Sequence, residues 1–399
     1  MINAADLLAQ LSALLLRHQA AWRFNAFNQK PESQLNDLIV LLAQQNEDAM
    51  WQLDNQPEQQ AAFFSPYFPA LFAWLKDHAP APISRQPDST PFWLKTSIGG
   101  RKWQQIHQFI SQLPQATEAI EWCAGKGHLG KAYAWQHNAQ ITSVEWQLTL
   151  CQQGQIEAQK LGLNQRFINA DIHQLPFTVL NKSKPKLWLA LHACGDLHRE
   201  FIAQASQHGA QHLALAPCCY HRQNAAHYLP LSNTGKAFDL ALNNQDLRLA
   251  QQNQITAGLG ERKQRAQLLN WRLGYEHLRQ QIEPHIQYRA LPSVKNTQYK
   301  SFSEFCLWAS TQHALKIPAH VDLIALEYYL MPFEKYGQNQ RVTMMRHDAI
   351  RHCFRRPLEL WLLLDKAAYL QEHGYRVQWQ EFCDAAVTPR NLMLQAWKE

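Results

Sequence analysis

Short apolar runs separated by helix-length stretches, between residues 117 and 220, constrain this chain more than any other feature. The runs lie at 118–122 (EAIEW), 140–145 (QITSVE), 166–169 (RFIN), 187–192 (LWLALH) and 212–216 (HLALA). Helical stretches are expected between them, at 146–161 and 197–208. Strands that alternate with helices pair in parallel, because each parallel neighbour needs a crossover of about a dozen residues or more. The expected architecture is α/β, with a doubly wound sheet.

The rest of the chain is arranged around that sheet. Residues 1–90 read as a helical N-terminal region, with Leu7, Leu8, Leu11, Leu14 and Leu15 on one apolar face. Leu35, Leu38, Ile39, Leu41 and Leu42 mark another face, and 79–91 (APAPISRQPDSTP) reads as a linker. Residues 91–221 form the first part of the sheet domain and 357–399 its closing part, with a helix near 358–372 and extended stretches at 375–383 and 391–397. Between them, 222–356 is a mostly helical, basic insertion after the fifth strand.

Hydrophobic residues make up 46% of the chain, enough for a full core, and charged residues only 18%. The net charge of +6 permits an acidic partner such as RNA without demanding one. The eight cysteines are irregularly spaced, and the opening MINAADLLAQLSALLL carries Asp6 and is amphipathic, unlike a secretory signal. Reduced thiols and a cytoplasmic location are therefore expected. No apolar run reaches the roughly 18 residues of a membrane span.

The chemistry concentrates at strand ends. The first strand runs into Glu121-Trp-Cys123-Ala-Gly125-Lys126-Gly127-His128-Leu-Gly130 and then a helix. Glycines there adopt backbone angles that other residues avoid and let a ligand approach the main chain. Gly130 lets the helix pack close to the strand. Spaced as G-x-G-x-x-G, the three suit a nicotinamide dinucleotide as well as other nucleosides. Glu121, four residues before Gly125, favours S-adenosylmethionine, because an acid there can face the ammonium of a bound amino acid. No second phosphate grip is apparent. Glu145, followed by Trp146, ends the second strand where an acid can accept from both ribose hydroxyls. Asp171-Ile172 follows the third strand, where an acid can accept from an adenine amino group.

The fourth and fifth strands end in His192-Ala-Cys194-Gly-Asp196 and Pro217-Cys218-Cys219-Tyr220-His221. Ligands of open parallel sheets bind beyond these ends, so both clusters are pocket candidates. The cysteines could be small buried residues without chemistry. His192, Cys194, Cys218, Cys219 and His221 could bind zinc, but the paired C-x-x-C spacing is missing and no metal is expected. Pro217-Cys218 could carry a nucleophilic thiolate of the kind that adds to pyrimidine rings. The favoured reading is that the clusters shape an acceptor pocket, with thiols that are partly buried and neutral.

These motifs resemble a known group. The stretches 123–130 (CAGKGHLG), 191–196 (LHACGD) and 217–221 (PCCYH) are similar to the class I methyltransferase domain shared by methyltransferase-like proteins and the glutathione S-transferase C-terminal domain-containing protein. The resemblance spans roughly residues 95–225 and, more loosely, 388–391 (TPRN). It implies a Rossmann-like sheet of seven strands with an antiparallel last strand. It also implies S-adenosylmethionine held by Glu121, Gly125, Gly127, Glu145 and Asp171. Cys123 stands where many class I members have glycine. Cys123, Lys126, His128, Gly130, Trp146, Ile172 and His192 complete the expected cofactor contacts. The expected acceptor is RNA, possibly transfer RNA, gripped by Arg262, Lys263, Arg265, Arg272, Arg346, Arg351 and Arg355. A protein or small-molecule acceptor, a nicotinamide oxidoreductase and a silent cofactor-binding module are the alternatives.

Overall fold

Seven strands form one sheet among the described residues: β1 Glu118–Trp122, β2 Gln140–Glu145, β3 Gln165–Asn169, β4 Leu187–Cys194, β5 His212–Cys218, β6 Arg376–Glu381 and β7 Leu392–Trp397. Their order is β3-β2-β1-β4-β5-β7-β6. β1 to β5 pair in parallel, and β7 runs antiparallel to both β5 and β6. The computed structural model describes residues 3–96, 98–172, 187–252, 258–295, 298–318 and 322–398.

Helices cover both faces of the sheet. On one face Gly100–Ser111 and His128–His137 bury Trp103, Ile106, Phe109 and Leu129 against Ala119, Ile141, Leu189 and Met393. On the other, Trp122, Trp188 and Phe201 form an aromatic cluster with ring centroids 5.7–6.2 Å apart. Phe201 comes from helix Asp196–Gln207.

The chain divides into two units. The first takes the described residues within 1–17, 68–256 and 354–399, and the second those within 18–67 and 257–353. This corrects the linear division expected from sequence. Residues 1–90 are not one region. Helix Ala4–Arg17 belongs with the sheet, burying Leu7, Leu8, Leu11 and Leu15 on the side packed against helix Arg355–Glu372. The Trp361 indole there donates to Ser12 Oγ at 2.8 Å. The insertion is divided too. Its first stretch stays with the sheet because Asp365 accepts from Tyr228 Oη and from the amides of Leu231 and Ser232.

The second unit is helical. Its two long helices, Leu259–Ile282 and Leu323–His352, cross where Gly274 and Gly337 meet. A Cβ on Gly337 would stand 2.1 Å from the Asn270 carbonyl oxygen. Trp271, Tyr275, Phe302, Phe305 and Leu330 fill the core beside the crossing.

Candidate active site

The strand order reverses between β1 and β4, and such a switch point opens a crevice at the carboxyl ends of the strands. β1 delivers the glycine loop there, β2 delivers Glu145, and β4 and β5 deliver the cysteine clusters.

Cys123, Gly125 and Gly127 all hold positive φ, at 55°, 57° and 69°. The Gly125 amide donates to Glu145 Oε2 at 2.8 Å and the Gln147 amide to Oε1 at 3.0 Å. The buried Glu145 carboxylate thus ties the loop to the end of β2. The glycines differ in what their missing side chains leave room for. A Cβ on Gly127 would lie 2.4 Å from Gln165 Nε2 and from Phe167, and one on Gly130 2.5 Å from Glu121 Oε2. Both permit close packing of the helix on the sheet. Gly125 has nothing within 4 Å of that position. The expectation that Gly127 clears room for the ligand is therefore corrected: Gly125 faces the open space. Cys123 keeps the left-handed geometry of a glycine, and burial pushes its thiol up to about 12.

Glu121 is buried beneath this loop. It is the register partner of Ser143, whose hydroxyl donates to Oε2 at 2.6 Å. Gln165 Nε2 donates in turn to Ser143 Oγ at 2.8 Å and to the Gly127 carbonyl at 2.9 Å. Burial pushes the Glu121 carboxyl up to about 7, opposed by Ser143, by the helix amides of Gly130 and Leu129, and by Lys102. The exposed Lys102 was not singled out from sequence, yet its charge acts on Glu121, Cys194 and Cys218. Nothing in an ordinary Arg-Lys pair signals that placement. Lys126 is exposed, and His128 is neutral, pushed down to about 4 mainly by burial.

Beyond β2, the Trp146 ring is 69% exposed, while its carbonyl accepts from Asn169 Nδ2 at 2.8 Å. Asp171 is exposed and Ile172 buried just past β3. Trp146, Asp171 and Ile172 thus follow directly on the ends of β2 and β3. His192 lies in β4, and its side chain is outside the described residues.

The β4 and β5 ends are joined by their backbones. Cys194 and Cys218 are register partners beyond an irregularity after Leu191. Gly195 N donates to the Cys218 carbonyl at 3.1 Å, and Asp196 N to the Arg222 carbonyl at 3.1 Å. Gly195, at φ 58°, cannot be replaced, since a Cβ would lie 1.5 Å from the Arg222 oxygen. Asp196 accepts from the Asn224 amide at 2.9 Å and pairs with Arg199 at 3.4 Å, so it positions the loop. His221 is half-buried. Tyr220 departs from expectation. It is buried away from the crevice, 5.2 Å from the His198 ring and 5.3 Å from Lys366 Nζ. The three thiols act on one another: hydrogen bonding with the neighbouring thiols and burial push Cys218 up, whereas hydrogen bonds from Cys194 and Cys218, with Arg390 and Arg222 nearby, push Cys219 down.

The expected RNA contacts are mostly engaged within their own unit. In the second unit Arg262 lies over the Trp51 ring at 4.6 Å, and Arg265 pairs with Glu261. Arg272 donates to the Pro292 carbonyl at 2.7 Å, Arg346 to the Ala43 carbonyl at 2.9 Å, and Arg351 to Asp348 at 2.5 Å. In the first unit Arg355 donates to the Gln252 carbonyl. Lys263 is exposed. In this structure these guanidiniums mainly secure loops and helices.

The family described as "Methyltransferase domain" matches residues 101–226. Similar solved structures include magnesium protoporphyrin IX methyltransferase from Synechocystis PCC 6803 with bound S-adenosylhomocysteine, at 16% identity and TM-score 0.25, over 39% of this chain and 70% of that one. Coclaurine N-methyltransferase bound to N-methylheliamine and S-adenosylhomocysteine gives 10% identity and TM-score 0.26, over 99% and 93%. A cyclopropane synthase from Mycobacterium tuberculosis gives 11% and 0.24, over 93% and 98%. Scores this low carry no weight of their own. No curated protein matches the chain. The family match, the sheet order and the loop tied to two buried acids define the class, a class I methyltransferase fold. The chain is an S-adenosylmethionine-dependent methyltransferase.

Proposed function

We propose that this methyltransferase acts on RNA in the cytoplasm, with the acceptor held at the ends of β4 and β5. The observation that carries the reading is the charge around the crevice. Lys102, Lys126, Arg222 and Arg390 are all exposed, and Lys102, Arg222 and Arg390 act electrostatically on the strand-end cysteines or Glu121. An anionic backbone suits such a rim better than a neutral small molecule does. The finer resemblance to methyltransferase-like proteins is part of this reading. No helix of the described residues is long and apolar enough to cross a membrane, and all eight cysteines are free thiols, which fits a reducing compartment.

The open space over Gly125 is the cradle that the cofactor needs. When bound there, S-adenosylmethionine supplies an electrophilic methyl group on a sulfonium. Glu145 spends one lone pair of each oxygen on loop amides and keeps others for the ribose hydroxyls. Trp146, Asp171 and Ile172 would hold the adenine end. Glu121 places negative charge beneath the amino-acid end. The strand-end loops of Cys194 and Cys218 hold the acceptor in line, which is the main requirement of a displacement.

Labelled methyl transfer into RNA and protein fractions of cells lacking this protein tests the acceptor. Label is expected in RNA, and binding should weaken steeply with salt. Reversing Lys102, Arg222 and Arg390 to Glu should flatten the salt slope by about one per lost phosphate contact. Label confined to protein, or to small molecules, would replace the RNA reading.

A further inference from the structure

We propose that Cys194, Cys218 and Cys219 form a binding site for a single zinc ion, to which they supply three thiolate ligands. The sequence put these cysteines, with His192 and His221, among possible zinc ligands but without the paired spacing that argues for a site; the geometry supplies the argument.

The three sulfurs lie within 4.8 Å of one another, and those of Cys194 and Cys218 are 3.5 Å apart. Tetrahedral zinc with Zn–S bonds of about 2.3 Å places its sulfurs roughly 3.8 Å from each other, so small side-chain adjustments suffice. Two features of the backbone bring them together. Neighbouring residues of an extended strand point to opposite faces, so Cys218 and Cys219 would ordinarily diverge. Cys219 adopts φ 49°, which breaks the alternation and returns its sulfur to the side of Cys218. The irregularity after Leu191 then brings Cys194 level with Cys218 across the β4–β5 pair. Bonds from Gly195 N to the Cys218 carbonyl and from Arg222 N to the Cys219 carbonyl, at 3.1 and 2.8 Å, fix this arrangement through the backbone. A preformed set loses little freedom on binding a metal.

The donor set is soft, which selects zinc over magnesium or calcium. Three thiolates around a divalent ion carry one net negative charge, and Arg222, Arg390 and Lys102 stand close enough to offset it. Among the described residues no fourth donor joins the cluster.

The full chain, purified with a non-thiol reductant, is the material for the test. Elemental mass spectrometry should find about one zinc per chain. After its removal, cobalt should restore a thiolate-to-metal absorption band in the near ultraviolet. Zinc should also protect these three cysteines, and not the other five, from alkylation read by peptide mass spectrometry. Cys194→Ser, Cys218→Ser and Cys219→Ser should each weaken cobalt binding at least tenfold, while Cys306→Ser, in the second unit, should leave it unchanged. Wild-type chain that takes up no zinc, shows no cobalt band and gains no protection would overturn the proposal, whether or not the variants fold. So would a band that survives in folded Cys219→Ser.

Discussion

Gly125 and Gly127 sit two residues apart with nearly the same backbone angles, yet alanine should act on them in opposite ways. At Gly127 the added methyl would meet Gln165 and Phe167 at 2.4 Å, and φ would remain at 69°. Left-handed geometry costs a residue with a Cβ about 1–2 kcal/mol, and overpacking adds about 1–3. Gly127→Ala should therefore lose about 2–5 kcal/mol of stability, lowering the melting temperature of the ligand-free protein by roughly 4 °C or more. At Gly125 the same methyl meets nothing within 4 Å, so only the backbone term of about 1–2 kcal/mol remains. Gly125→Ala should stay folded but bind S-adenosylhomocysteine at least tenfold more weakly, because its side chain fills the cradle. Thermal melts without ligand, followed by calorimetric titration of each folded variant, separate the two effects. Wild-type affinity in Gly125→Ala, or wild-type stability in Gly127→Ala, would refute the assignment of the open side of the loop.

Three other substitutions test different parts of the structure. Glu145→Ala should cost about 1.5–3 kcal/mol of S-adenosylhomocysteine binding by calorimetry and also lower the ligand-free melting temperature, since two amides lose a charged acceptor. The Glu121 carboxyl is raised from 4.5 to about 7 in the fold, so between those values the native state holds a proton that the unfolded chain has released. Its contribution makes stability fall as pH rises through that window, and Glu121→Gln should remove that fall, as read from denaturant midpoints against pH. Gly337→Ala should destabilise the second unit by about 1–3 kcal/mol, because its methyl would meet the Asn270 carbonyl at 2.1 Å, and an unchanged melting profile would contradict that crossing.

The sheet was largely legible in the sequence. β1 and β2 have the expected bounds, and β3, β4 and β5 fall on the expected runs and pair in parallel, as strands separated by helices must. What periodicity could not give was long-range pairing. The leucine stripe of Ala4–Arg17 announces a buried face but not its partner, which lies more than 300 residues away in Arg355–Glu372. The intramolecular partners of the insertion's arginines, such as the Ala43 and Gln252 carbonyls, carry no signal in sequence either. The cofactor loop was legible because glycine spacing and strand-end acids are local. The direction of each missing Cβ was not, since it depends on Phe167 and Gln165 of β3. The meeting of three sulfurs depends on one left-handed cysteine and one strand irregularity, and neither leaves a trace in residue spacing.

The most direct test of the account is which nucleoside the crevice takes. The full chain is melted alone, with S-adenosylhomocysteine and with NAD, each ligand at the same saturating concentration. Binding to the native state alone stabilises it by about 2.7 kcal/mol at one hundred times the dissociation constant. The account predicts a rise in melting temperature with S-adenosylhomocysteine, lost in Gly125→Ala, and none with NAD. A rise with NAD and none with S-adenosylhomocysteine would contradict it.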